Sequence, residues 1–152
     1  MDEFDRKILT LIQEDDSLSV ADVAERIGLS TTPCWRRIHN LEKKGIIRKR
    51  VALLDTKALN VGVTAMVAIR VGKHNTQWLN DFSKVVESIP EIVEIYRMSG
   101  EIDYLMKVVV PDIDGYDAVY KKLIDSIDLA DVTSSFAMET IKYTTALPLD
   151  YI

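Results

Sequence analysis

The chain has 152 residues, 47% apolar and 28% charged, enough to fold as one domain or two small ones and too apolar for wholesale disorder. No apolar run approaches the roughly 20 residues of a membrane span, no charged-then-apolar leader follows Met1, and a lone Cys34 with His39 and His74 leaves no disulfide framework and no structural zinc set. A soluble, cytoplasmic protein without metal is expected. The net charge of −5 argues against nucleic acid only as an average, because residues 1–57 carry 11 Lys/Arg against 10 Asp/Glu while residues 58–152 carry 8 against 14.

Three helices are expected first. Phe4, Ile8, Leu11 and Ile12 follow an amphipathic stripe. Ser19 caps a second helix with Val20, Val23, Ala24 and Ile27 inward, and Gly28 ends it. Ser30 caps a third, in which Pro33 falls in the first turn, where its missing N–H costs nothing. Gly45 stops that helix, and 46–55 read as a short β-ribbon. Helix, helix, tight turn, helix, ribbon is the order of a winged helix-turn-helix.

A joint over 58–62 separates this domain (1–57) from a second (63–152). There the pattern reads strand 63–71, a helix with Trp78, Phe82, Val86 and Ile89 inward, and strands 92–98 and 104–110 around the turn 99–102. A helix containing Tyr116, Val119 and Leu123 and a strand 132–138 follow, then a further strand or arm over 141–152. The fold class is α+β: a winged helix-turn-helix followed by a ferredoxin-like βαββαβ sandwich. Two helices cover one face of the sheet, yet its strands are not polar on the other, so a second copy is expected there. Met66 and Val108 are expected on that uncovered face.

Residues 31–50 hold Arg36, Arg37, Lys43, Lys44, Arg48, Lys49 and Arg50 against Glu42 alone. Such a run is either a solvated helix face or a footprint for phosphate. At about 100° per residue, Cys34, Ile38 and Leu41 form one seam of the third helix. Thr32, Arg36, Asn40 and Lys43 occupy the opposite arc, with His39 at its edge. Arg can grip guanine and Asn adenine in the major groove, and Thr can reach phosphate or a thymine methyl. The DNA-binding set is therefore Thr31, Thr32, Arg36, Arg37, His39, Asn40 and Lys43, with Arg48, Lys49 and Arg50 of the ribbon along the flanking backbone. Trp35, between seam and groove face, reads as a packing residue, and Cys34 as core. Winged helices also dock proteins, and βαββαβ domains also regulate enzymes. No P-loop, dinucleotide fingerprint or nucleophile elbow appears, so neither cofactor nor catalysis is expected.

The blocks Gly28-Leu29-Ser30-Thr31-Thr32-Pro33-Cys34-Trp35-Arg36-Arg37-Ile38, Leu41-Glu42-Lys43-Lys44-Gly45-Ile46-Ile47 and Met98-Ser99-Gly100-Glu101-Ile102-Asp103-Tyr104-Leu105 resemble the Lrp/AsnC (feast/famine) transcriptional regulators across essentially the whole chain. The resemblance implies a DNA-binding domain and an amino-acid-sensing domain, dimers through the latter, often assembled into octamers, and a small amino acid as effector. The effector positions it implies are Ser99, Gly100 and Asp103 with Thr133, Ser134 and Ser135. Carboxylates there suit an ammonium, and hydroxyl and turn N–H groups suit a carboxylate. The turn and a polar strand end also account for the same residues. Arg97 reads as either a pocket or a surface residue.

Overall fold

Three short helices that would be marginal alone are held together by one shared seam. The computed structural model describes residues 1–72 and 75–152; His74 lies outside the described residues. Helix α1 (Glu3–Glu14) starts at a capping box in which Asp2 and Asp5 bond each other's backbone N–H. Helix α2 (Val20–Ile27) repeats the device with Ser19 and Asp22 and ends at Gly28, whose φ of 73° is left-handed. Helix α3 (Thr31–Lys43) begins after Ser30, with Pro33 third in its first turn. Ile8, Leu9, Val23, Ala24, Ile27, Cys34, Ile38 and Leu41 are buried between the three. Full burial of an aliphatic side chain is worth about 1.5–3 kcal/mol, so this seam supplies what the isolated helices lack.

The expected ribbon over 46–55 is absent: among the described residues no strand lies in 46–55. A ribbon needs a returning strand to exchange hydrogen bonds. Here the chain instead coils after Asp55, whose side chain accepts from Ala58 N–H at 2.7 Å and whose carbonyl accepts from Leu59 N–H. A second correction concerns the other end of the chain. The compact units are Met1–Leu53 with Ile141–Ile152, and Leu54–Thr140, so the C-terminal segment belongs to the first unit. Gln13 holds Leu147 by both amide atoms, donating to its carbonyl at 3.1 Å and accepting from its N–H at 2.9 Å. Leu149 packs on the three-helix core.

In the second unit, strands β1 (Val63–Arg70), β2 (Ile92–Arg97), β3 (Tyr104–Val110) and β4 (Asp131–Phe136) form an antiparallel sheet in the order β2-β3-β1-β4, with helices α4 (Thr76–Glu87) and α5 (Ile113–Ser126) between them in sequence. That is the expected βαββαβ order. Ala65, Val67 and Ile69 of β1 and Tyr104, Met106, Val108 and Val110 of β3 are buried in one cluster with Phe82, Val86, Val119 and Leu123 from the helical side. Val108 is thus on the helix-covered face, fully buried, and not on the open one. Its register partners decide this: Val108 pairs with Ala65, whereas Lys107 pairs with Met66. The open face carries Met66, Ala68, Leu105 and Val109 among polar neighbours. One of these, Glu94, accepts from Tyr96 Oη at 2.6 Å and Lys107 Nζ at 3.0 Å, and those bonds hold its carboxyl below the usual range.

Candidate nucleic-acid interface and ligand-side hairpin

Burial of Cys34, Ile38 and Leu41 fixes which way α3 faces within its unit, and it leaves Thr31, Thr32, Arg36, His39, Asn40 and Lys43 exposed. Cys34 is fully buried, and that burial pushes its thiol pKa up, away from any nucleophilic role. Arg36, Lys43, Lys44, Arg48 and Lys49 have no ion-pair partner among the described residues, so the face is strongly positive. Arg48 and Lys49 lie on irregular chain rather than on a ribbon.

Two of the seven basic residues are engaged inside the unit. Arg37 Nη1 meets Asp2 at 2.8 Å and Asp5 at 2.8 Å, and its guanidinium carbon sits 5.4 Å from the centre of the Phe4 ring. The Asp5 backbone N–H, followed by Arg37, keeps the Asp2 carboxyl below its ordinary value. Arg50 Nη1 lies 2.6 Å from Asp16, and its Nη2 3.2 Å from Glu42. Both arginines fasten α3 or its exit to the α1 side through Asp2, Asp5 and Asp16, which lie 32 or more positions away in sequence, outside the reach of a helical wheel.

Trp35 is not a packing residue. Its side chain is 55% exposed, and its ring lies flat on His39, centroids 5.3 Å apart and planes 5° from parallel. The position at the margin of the seam was legible; that the seam stops short of it was not, because three small or branched residues already close the core there.

In the second unit Ser99 and Gly100 are exposed at the β2–β3 hairpin, and Gly100 has the φ of 119° that only glycine adopts readily. Asp103 ties the hairpin to the end of β1. Its side chain accepts from Val71 N–H at 2.8 Å, and its own N–H donates to Ile69 at 2.9 Å. The β4 trio divides by strand parity. Thr133 and Ser135 pair with Ala68 and Met66 on the open face, while Ser134 pairs with Val67 on the helix face and bonds the Tyr116 hydroxyl. Hairpin and β4 start flank the same end of β1. Arg97 is exposed, at the rim of a cleft of about 180 Å³ that Phe82, Val86, Ile95 and Tyr104 also line. Among the described residues no cluster of His, Cys, Asp and Glu could hold a metal, and no helix is long and apolar enough to cross a membrane.

Comparison with known proteins agrees with both halves. Residues 1–48 match the family described as winged helix-turn-helix DNA-binding, and residues 64–147 match the Lrp/AsnC ligand binding domain. The chain is 49% identical over 151 residues, 99% of each protein, to the DNA-binding transcriptional activator DecR of Escherichia coli K12. It is 46% identical over 149 residues to the glutamate uptake regulatory protein of Zymomonas mobilis, covering 98% of this chain and 91% of that one. Among solved structures, an AsnC family transcriptional regulator from Agrobacterium tumefaciens superposes with a TM-score of 0.97 at 60% identity, covering 100% of this chain and 99% of the other. A transcriptional regulator from Neisseria meningitidis, solved as an L-Met complex, superposes at 0.95 with 34% identity, covering 99% and 98%.

Proposed function

The chain belongs to the Lrp/AsnC family of DNA-binding transcriptional regulators, and from that premise we propose that α3 enters the major groove with Thr31, Thr32, Arg36, His39, Asn40 and Lys43 towards the bases. Arg48 and Lys49 lie along the phosphates. Arg37 and Arg50 brace the helix from within the unit. The observation that carries this reading is the single exposed arc of α3, which sets Arg36 and Asn40 opposite a buried seam and among five cations without acidic partners among the described residues. The chain performs no catalytic step in this reading and works in the cytoplasm, beside the DNA.

A second copy covers the open sheet face. The resulting homodimer presents two α3 helices to two half-sites and is the unit from which an octamer would be built. The effector is a small amino acid at the end of the sheet, between Ser99, Gly100 and Asp103 on one side of β1 and Thr133 and Ser135 on the other. Ser134 contributes through its bond to Tyr116. The relative from Neisseria was solved with L-Met; which amino acid acts here is the object of the test.

That test is fluorescence anisotropy on a labelled duplex selected by the protein from a random library, repeated with each of the twenty amino acids. Binding is expected to weaken steeply as salt rises, and at least one amino acid is expected to shift affinity about fivefold or more. No binding to any duplex at low salt overturns the DNA reading. Binding indifferent to all twenty overturns the effector reading.

A further inference from the structure

Trp35 has a conformation that a merely tolerated surface aromatic lacks. More than half of its side-chain surface meets solvent, yet its ring is held parallel to His39 one helical turn later. His39 in turn has Nδ1 3.8 Å from Glu42, Glu42 bonds Arg50, and Arg50 bonds Asp16 at the end of α1. A line of contacts therefore runs from an exposed indole to the body of the unit. Along it the one acidic residue of 31–50, Glu42, is already matched by Arg50, so it does not spoil the positive potential beside the rings. On the wheel, Trp35 lies about 90° from the centre of the exposed arc and His39 about 50°, so the stacked pair extends that arc sideways, with the indole as its apolar part.

We propose that Trp35 is a specificity-determining DNA contact, which packs its indole against a thymine methyl at the edge of the footprint in each half-site, with His39 as its positioning residue. This rests on the DNA-binding reading above. The major-groove edge of thymine is the one base edge that offers a methyl group, and apolar side chains read it. A ring already held by stacking loses little rotamer freedom on contact, so the burial is nearly all gain. The lateral position suits a groove-edge base rather than a central one, where Arg36 and Asn40 project.

The experiment uses the full chain and the selected duplex, with each thymine replaced in turn by deoxyuridine, which removes the methyl and nothing else. Wild type, Trp35→Ala and Trp35→Phe are compared, with melting curves as a folding control. In wild type, at least one replacement near the edge of each half-site is expected to weaken binding about fourfold, the worth of burying one methyl. Trp35→Ala is expected to bind the thymine duplex about tenfold more weakly and to be indifferent to that same replacement, while Trp35→Phe keeps the preference. A Trp35→Ala protein that binds as wild type, or that keeps every deoxyuridine penalty, overturns the proposal and leaves the DNA reading standing. Wild type that binds no duplex overturns both.

Discussion

Arg37 Nη1 lies 2.8 Å from Asp5 Oδ1 across 32 positions of sequence, the side chains 30% and 18% exposed. The contact joins the middle of α3 to the first turn of α1, and the Phe4 ring closes over it. Arg37→Ala is therefore expected to lower stability by about 1 kcal/mol, at the upper end for a partly screened pair, and the melting temperature by a few degrees. The folded variant should still bind duplex DNA with nearly wild-type affinity. Thermal melting beside anisotropy checks both halves of this prediction.

The neighbouring arginine should behave in the opposite way. Arg36 is exposed on the groove arc, so Arg36→Ala, and likewise Asn40→Ala, should leave the melting temperature unchanged and weaken binding to the selected duplex by about 1–3 kcal/mol. Lys49→Ala should instead weaken all duplexes alike and flatten the salt dependence by about one unit. A salt titration on selected and scrambled duplexes distinguishes the two effects.

Met66 and Val108 occupy opposite faces of the sheet, which separates assembly from folding. Met66→Glu adds an unpaired charge to the open face, where Glu94 and Lys107 already match each other. With the second copy of the proposed function seated there, it should leave the fold intact and shift the protein towards monomer, because an uncompensated charge buried between two copies costs several kcal/mol. Val108→Glu should destabilise the second unit itself, since Val108 has no exposed surface. Light scattering reads the first outcome and circular dichroism the second.

Asp103 has a turn to hold and, in the proposed function, an ammonium to meet. Asp103→Ala leaves Val71 N–H without its acceptor and should cost about 1–2 kcal/mol. Asp103→Asn keeps an acceptor oxygen, so its melting curve should stay close to wild type, while affinity for the amino acid falls about tenfold or more with the loss of charge. Calorimetric titration of the two variants against wild type gives the answer; an asparagine variant with wild-type affinity would leave Asp103 as a turn residue alone.

Acid should loosen the first unit in a defined direction. Asp2, Asp15 and Asp22 are all held below their ordinary value of 3.8, Asp2 first by the Asp5 N–H and Asp15 and Asp22 first by the hydroxyls of Ser17 and Ser19. Their folded pKa values lie below the unfolded ones, so the unfolded chain binds protons more readily. The stability they contribute is complete above the unfolded value and is lost as pH falls through 3.8 and then through the folded values. Melting temperature against pH should decline in that window, and Ser19→Ala should make the decline shallower.

Much of this was legible in the chain because it is local. The Cys34-Ile38-Leu41 seam, the Ser19 cap, the Gly28 and Gly45 stops and the order of strands and helices each depend on neighbours a few positions away. The failures share a cause in partners that lie far off in sequence. The basic run of 31–50 counts Arg37 and Arg50 among its cations, yet Asp2, Asp5 and Asp16 claim them. Alternation alone does not say which face of β3 meets the helices, and register with β1 decides it for Val108. In the candidate ligand site, Thr133-Ser134-Ser135 read as one hydroxyl cluster, but consecutive strand residues point to opposite faces. The ribbon failed because propensity describes one strand and a ribbon requires two.

The clasp of Gln13 on Leu147 has a consequence for biosynthesis. A ribosome delivers α1, α2 and α3 early, but Leu147 and Leu149, which finish the surface of that unit, are delivered only after the entire sheet unit. A nascent or prematurely terminated chain therefore exposes the part of the three-helix core that Leu149 covers and leaves the Gln13 amide to water. Stop codons near position 140 should thus register first as protease sensitivity in the opening helices, at the far end of the reading frame from the lesion.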